Sequence, residues 1–239
     1  MSDSPIVFSD QPDIALPPTQ DELPSDDGVP METLRYKLQM DLLVDPLWTW
    51  LQDRDAFVGG NMFVYYSTAQ VRDRDFKGPD VFVVLDVPRG ERKSWVLWEE
   101  GKAPDVVIEL LSQSTAQRDK TEKKQIYQNC LRVTEYFWYD PFNPDDWAGF
   151  VLQRGTYTPL QLDDSGRLVS QELGLSLLRW SGQYKDANAV WLRWATLNGE
   201  LLPTEGELAA QARQRAESER QRADRLAERL RAMGVELDE

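Results

Sequence analysis

Residues 103–127 read APDVVIELLSQSTAQRDKTEKKQIY. Val106, Val107, Ile108, Leu110 and Leu111 make a run of strand length that is apolar on both faces. Such a run belongs at the centre of a sheet covered by helices. Glu109 interrupts it, and a buried carboxylate without a partner costs several kcal/mol. The chain then changes to helical spacing over about 116–131, where Ile126, Tyr127, Cys130 and Leu131 share one apolar face. At roughly 100° per residue Lys123 points into the middle of that face, with Lys120 about 50° and Lys124 about 90° from its centre. A buried acid needs a cation, and a lysine aimed into apolar surroundings needs an anion. Strand and helix are therefore expected to pack against each other with Glu109 and Lys123 in contact.

The rest of the chain limits what such a pair can do. The 239 residues carry 41 acids, 27 Lys plus Arg and no histidine, a net charge of −14. Without histidine there is no Ser-His-Asp or Cys-His nucleophile and no His-ligated zinc or haem. Acid–base or metal chemistry must use carboxylates, Lys, Tyr or Arg, and carboxylate oxygens favour hard cations, Mg²⁺ or Mn²⁺ first. The charge argues against a general nucleic-acid coat protein, though not against a local basic patch. A single cysteine, Cys130, excludes a disulfide framework and fits a reducing, cytoplasmic setting. No apolar run approaches the twenty or so residues of a membrane span, and the N-terminus has no signal-like segment.

Residues 1–30, with ALPPTQDELPSDDGVP, are expected to be a disordered acidic arm. Residues 31–200 follow as the folded domain. METLRYKLQMDLLVDPLWTWLQ (31–52) predicts a helix through Leu34, Leu38, Leu42 and Leu43, broken or kinked at Pro46. FVGGNMFVYYS (57–67) predicts a strand entered through Gly59-Gly60, and GPDVFVVLDVP (78–88) a second strand apolar on both faces. A short strand is expected in SWVLWEEGK (94–102), a strand in TEYFWYD (134–140), and a hairpin over 149–169 with turns at Gly155 and Asp164-Ser165-Gly166. WLRWAT (191–196) is read as helical. The order predicts an α/β fold, a mixed sheet flanked by helices. Residues 201–239 form a long charged helix, in which Ala209, Ala212, Ala216, Glu219, Ala223, Leu226, Leu230 and Met233 follow a 3-4 spacing. That seam suits either a solvated helix or a dimerising coiled coil.

Side chains alternate along a strand, so Asp105, Val107, Glu109 and Leu111 share a face. Asp80 opens the preceding apolar strand. If the two strands are neighbours, Asp80 and Glu109 converge, and two close carboxylates require a proton or a cation between them. Asp80, Glu109 and Lys123 then make one cluster. Simpler readings stand beside it: a buried Glu109–Lys123 ion pair, Lys123 paired with Asp119 one turn earlier, or Asp80 as a strand initiator after Pro79.

GPDVFVVL, APDVVIELLS, DKTEKKQIY and TEYFWYDP together resemble the Uma-type restriction endonuclease domain family, within the PD-(D/E)XK nuclease superfamily. The resemblance covers about Glu32 to Trp194. It implies a restriction-endonuclease-like fold and metal-dependent hydrolysis of phosphodiester bonds, with DNA as partner. It places the strand-opening Asp at Asp80 and the second acid at Glu109. The acid-x-Lys triplet reads Glu109-Leu110-Leu111 and lacks its lysine. The chain instead resembles members whose lysine has moved to the following helix, as Asp119, Lys123 and Tyr127. On this basis Asp80, Glu109 and the Leu110 carbonyl are the expected Mg²⁺ (or Mn²⁺) ligands, and Asp80, Glu109 and Lys123 the catalytic set. Asp105 is a candidate supplementary acid, and Glu32 the candidate acid from the first helix. Arg118, Lys120 and Lys124, with Arg72, Arg74 and Lys77, are candidate phosphate contacts. A homodimer through the domain or the C-terminal helix is the further expectation.

Overall fold

The computed structural model describes residues 16–25, 33–68 and 76–233. Along the chain lie α1 (Leu34–Trp50), β1 (Ala56–Gly60), β2 (Val64–Tyr65), β3 (Phe76–Lys77), β4 (Val81–Leu85), β5 (Trp95–Val96), α2 (Leu97–Glu100) and β6 (Val106–Leu110). A helical run over 116–131 follows, in which α3 (Ala116–Arg118) and α4 (Lys124–Ile126) alternate with π-helical turns at Asp119–Lys123 and Tyr127–Leu131. Then come β7 (Glu135–Tyr139), β8 (Trp147–Gln153), β9 (Thr156–Pro159), β10 (Leu168–Ser170), β11 (Leu175–Tyr184), β12 (Ala187–Thr196) and α5 (Glu205–Ala232).

The main sheet has the order β1-β4-β6-β7-β8-β9. Only β6 and β7 run parallel within it, and the 116–131 helix is their crossover. β4 and β6 are buried at every position, as their Val-rich, two-sided apolar runs require. Their alternate residues feed two cores. Val81, Val83, Val106, Ile108 and Leu110 face α1 and the β10-β11-β12 sheet. Phe82, Val84 and Val107 face the 116–131 helix through Tyr127 and Leu131. The expected mixed sheet flanked by helices, with a long C-terminal helix, is the architecture found.

Several local expectations fail for physical reasons. WLRWAT is not helical but the end of β12, paired residue for residue with β11. Both its faces are covered, so Trp191 through Ala195 are buried and the two-residue alternation that marks a strand is hidden. FVGGNMFVYYS is two strands, because the chain turns at Asn61, whose φ is 46°. Gly59 lies inside β1 and Gly60 ends it, so the pair closes a strand and does not lead into one. A Cβ there would meet the Phe82 ring at 2.3 Å, so only glycine lets β1 lie over that side chain. α1 continues through Pro46 to Trp50. Residues 149–169 contain a tight hairpin at Arg154-Gly155, but β10 leaves for the smaller sheet.

Residues 16–25 fall within the stretch read as a disordered arm. They lie against β2 and β5, with Leu23 buried beside Phe63, Tyr65 and Val96. Tyr65 Oη donates to the Pro24 carbonyl at 2.6 Å and Trp98 Nε1 to that of Pro18 at 2.8 Å. At the other end, α5 begins with a capping box. Thr204 Oγ1 accepts from the Glu207 N–H at 3.2 Å, and Glu207 Oε2 accepts from the Thr204 N–H at 2.8 Å. Glu207 also receives both Arg193 guanidinium nitrogens at 2.9 and 2.7 Å, which locks the first turn to β12. Beyond it α5 is exposed almost throughout. No helix among the described residues is long and apolar enough to cross a membrane.

Candidate active site

The site begins with strand register. Val81 lies opposite Ile108 in the antiparallel β4–β6 pair. One step further along the ladder sets Asp80 opposite Glu109, both on the face covered by the 116–131 helix. Asp80 Oδ2 bridges the two strands by accepting the Leu110 N–H at 2.7 Å. Directly opposed like charges destabilise a sheet, so this end of the ladder must be compensated from outside it.

The helix supplies the compensation. Lys123 Nζ lies 2.9 Å from Glu109 Oε2 and 2.9 Å from Asp119 Oδ1. The first contact is an aligned hydrogen bond; the second is an ion pair outside hydrogen-bond alignment. Tyr127 Oη donates to Glu109 Oε1 at 2.6 Å. Tyr136, from β7, donates to the Asp119 carbonyl at 2.9 Å and fixes the start of the π turn. Each π turn carries an i→i+5 bond and an extra residue relative to an α-turn. Asp119, Lys123 and Tyr127 nevertheless all reach the Glu109 side of the helix.

Glu109 and Asp119 have almost no contact with solvent, Lys123 retains 14% exposure and Asp80 is partly exposed. Burial, then the Glu109 charge, holds the Asp80 carboxyl well above the usual carboxylate range, against the pull of Lys123 and the Leu110 N–H. Burial also raises Glu109, with Lys123 opposing. Burial alone would lower the Lys123 ammonium, but Glu109, Asp119 and Asp80 outweigh it and the net shift is upward. Lys123 is therefore a firm cation. Tyr127 is held far above the phenol range by burial and then by Glu109, so it stays a donor. When all are ionised, the pocket contains three carboxylates and one ammonium, two positive charges short of neutrality.

The other expected residues separate from this cluster. Asp105, at the far end of β6, accepts the Leu85 N–H at 2.7 Å and pairs with Lys102 at 3.0 Å, joining β4 to the loop before β6. Glu32, Arg72 and Arg74 lie outside the described residues. Arg118 pairs with Glu122 at 3.5 Å and Lys120 with Asp146 at 2.5 Å. Lys77 is buried, 3.9 Å from Glu122. Among the described residues no group of three or more His, Cys, Asp or Glu side chains is arranged to hold a metal. A cation at Asp80 and Glu109 would thus have two carboxylates, main-chain oxygen and water, a donor set that suits Mg²⁺.

Two features escaped the sequence. The clamp between buried Arg193 and the half-exposed Glu207 was hidden by the helical reading of WLRWAT, although Thr204 and Glu207 already carry the T-x-x-E signature of a helix start. Glu135 is also buried, accepting from Ser170 Oγ at 2.5 Å and the Gln171 N–H at 2.7 Å, and ties β7 to β10. Nothing in its local sequence distinguishes it from an exposed strand-end acid.

Residues 29–182, well over half of the chain, match the family model Uma2, described as "Putative restriction endonuclease". The chain belongs to the Uma2 family. The Uma2 match spans Asp80, Glu109, Asp119, Lys123 and Tyr127, and ends before α5. Among solved structures, a chain described as "a putative nuclease belonging to DUF820 from Anabaena variabilis ATCC 29413" is 19% identical. That likeness covers 66% of this chain and 91% of the other, at a TM-score of 0.44. No curated protein gives a significant match.

Proposed function

We propose that this Uma2 protein is a nuclease that hydrolyses phosphodiester bonds with a divalent cation, Mg²⁺ or Mn²⁺, and that DNA is its substrate. The observation that carries the reading is the charge deficit of the pocket. When Asp80, Glu109 and Asp119 are all ionised around one ammonium, a divalent cation in place of the Asp80 proton supplies the two missing charges. Asp80 and Glu109 would hold it with the Leu110 carbonyl, which points to the same side of β6 as the N–H given to Asp80. When bound, such a cation polarises the scissile phosphate and lowers the pKa of an adjacent water. Lys123, kept protonated by its neighbours, cannot act as a base at neutral pH. Its role is to stabilise negative charge developing on the phosphate oxygens. Tyr127 orients Glu109, and Asp119 orients Lys123. A cytoplasmic setting fits the single, exposed Cys130.

Plasmid nicking with Mg²⁺ or Mn²⁺ tests this reading. Wild type should cleave and Lys123→Ala should not; equal trace cleavage by both identifies a contaminant. Calorimetry with Mg²⁺ should show binding that is lost in Asp80→Asn/Glu109→Gln.

A second reading, a catalytically inactive nuclease-fold scaffold, is favoured by the −14 charge and by the exposed, firmly anchored α5. The Ala209, Ala212, Ala216 and Ala223 seam is flanked by Arg213 and Arg220 on one side and Arg215 and Arg222 on the other. A second copy packed along that seam would oppose arginine with arginine. A partner helix with acidic flanks suits it better than a homodimer. No Mg²⁺ binding in wild type, together with unchanged light scattering after removal of residues 204–239, would support a scaffold that works through such a partner.

A further inference from the structure

Lys124 differs from every neighbouring cation on its helix. Arg118, Lys120 and Lys123 each have a carboxylate within ion-pair distance. Lys124 has none among the described residues, in a chain with 41 acids. Its ammonium instead sits 3.3 Å from the centre of the Phe150 ring and 5.5 Å from that of Trp138. Lys120 lies over the same indole at 5.6 Å. Aromatic faces attract a cation but leave its charge unneutralised. Burial here pulls the Lys124 pKa down, and no acid counteracts it.

The cradle adjoins the carboxylate pocket. Trp138 is the direct cross-strand partner of Glu109 in the parallel β6–β7 pair, so the two side chains leave the same face of the sheet. Phe150 is one strand further, on β8. Two strand spacings put the Lys124 ammonium on the order of 10 Å from the Glu109 strand. The Trp138 indole N–H is buried with no acceptor among the described residues, so no hydrogen bond there holds the ring. With two lysines over its face, Trp138 is a support for cations and not a platform for a base.

We propose that Lys124, held on the Phe150–Trp138 cradle, binds a backbone phosphate of a nucleic-acid strand that lies across the Asp80–Glu109 pocket. The identity of the ligand rests on the nuclease reading; the existence of an anion site rests on the cradle. Lys124 is a binding residue here and takes no part in bond cleavage. One lysine–phosphate contact should matter most at low salt and contribute about one unit to the salt slope.

The test is fluorescence anisotropy of labelled duplex and single-stranded oligonucleotides across a salt series, without divalent cation. Wild type, Lys124→Met, Lys124→Arg and the remote surface control Lys37→Met are compared, each first shown folded by circular dichroism. Lys124→Met should weaken binding about tenfold and lower the salt slope by about 1. Lys124→Arg should retain most affinity, and Lys37→Met all of it. Unchanged affinity and slope in Lys124→Met, an equal loss in Lys37→Met, or no binding by wild type would each overturn the proposal. Plasmid nicking separates the two readings. Lys124-dependent binding without cleavage keeps this site and removes hydrolysis. Cleavage with unaltered KM and salt dependence in Lys124→Met removes this site and keeps hydrolysis.

Discussion

Tyr127 Oη donates a hydrogen bond to Glu109 Oε1 across 2.6 Å, from a π-helical turn to the centre of a sheet. Lys123 takes the other oxygen of the same carboxylate. The acid at the fourth position of β6 is thus held by residues 14 and 18 positions further along the chain. Tyr127→Phe should cost about 1.5–3 kcal/mol, the worth of a buried hydrogen bond to a charged acceptor. Urea unfolding measures it, and an unchanged midpoint would mean the contact contributes nothing.

Lys123→Met removes the only ammonium that touches Glu109 and Asp119 among the described residues. Stranding buried carboxylates should cost about 3–5 kcal/mol near neutral pH. Lys123→Met/Glu109→Gln should recover a large part of that loss, because it removes both ends of the pair. A double-mutant cycle reads the coupling; simple additivity would contradict the contact.

Stability of the metal-free protein should fall as pH rises. The Asp80 pKa in the folded protein lies well above its ordinary value of 3.8. Between those two values the native state keeps a proton that the unfolded chain has released, so the slope of stability against pH is negative. The contribution is complete below the ordinary value and is lost as pH climbs through the raised one. Asp80→Asn should therefore be more stable than wild type at about pH 8, with the advantage shrinking toward about pH 4. Urea midpoints across that range check the sign; a difference independent of pH would refute it.

Glu207→Ala breaks the capping box and leaves the buried Arg193 guanidinium without its carboxylate. The first turn of α5 should fray at a cost of about 1–2 kcal/mol. Limited proteolysis should find new cleavage near residues 203–210 while the sheet core stays resistant. An unaltered digestion pattern would show that the helix start is held by something else.

Much of the site was legible because two independent demands met. Glu109 needed a cation and Lys123 an anion, and strand alternation with helical spacing was enough to bring them together. The register that opposes Asp80 to Glu109 could only be assumed, since nothing local reports which strands are neighbours. β12 was misread because burial on both faces erases the period-two signal. The Lys124 cradle was out of reach for a different reason. Its rings come from β7 and β8, and the helix alone marks Lys124 only as one candidate phosphate contact beside Arg118 and Lys120.

α5 is 28 residues long and is fastened to the domain only through its first turn among the described contacts. At 1.5 Å per residue it reaches about 40 Å. A helix clamped at one end behaves as a boom. A tilt of a few degrees at Arg193 and Glu207 swings Leu226 through several ångströms, so the stiffness of that one guanidinium–carboxylate clamp sets how accurately anything gripped near the tip is aimed.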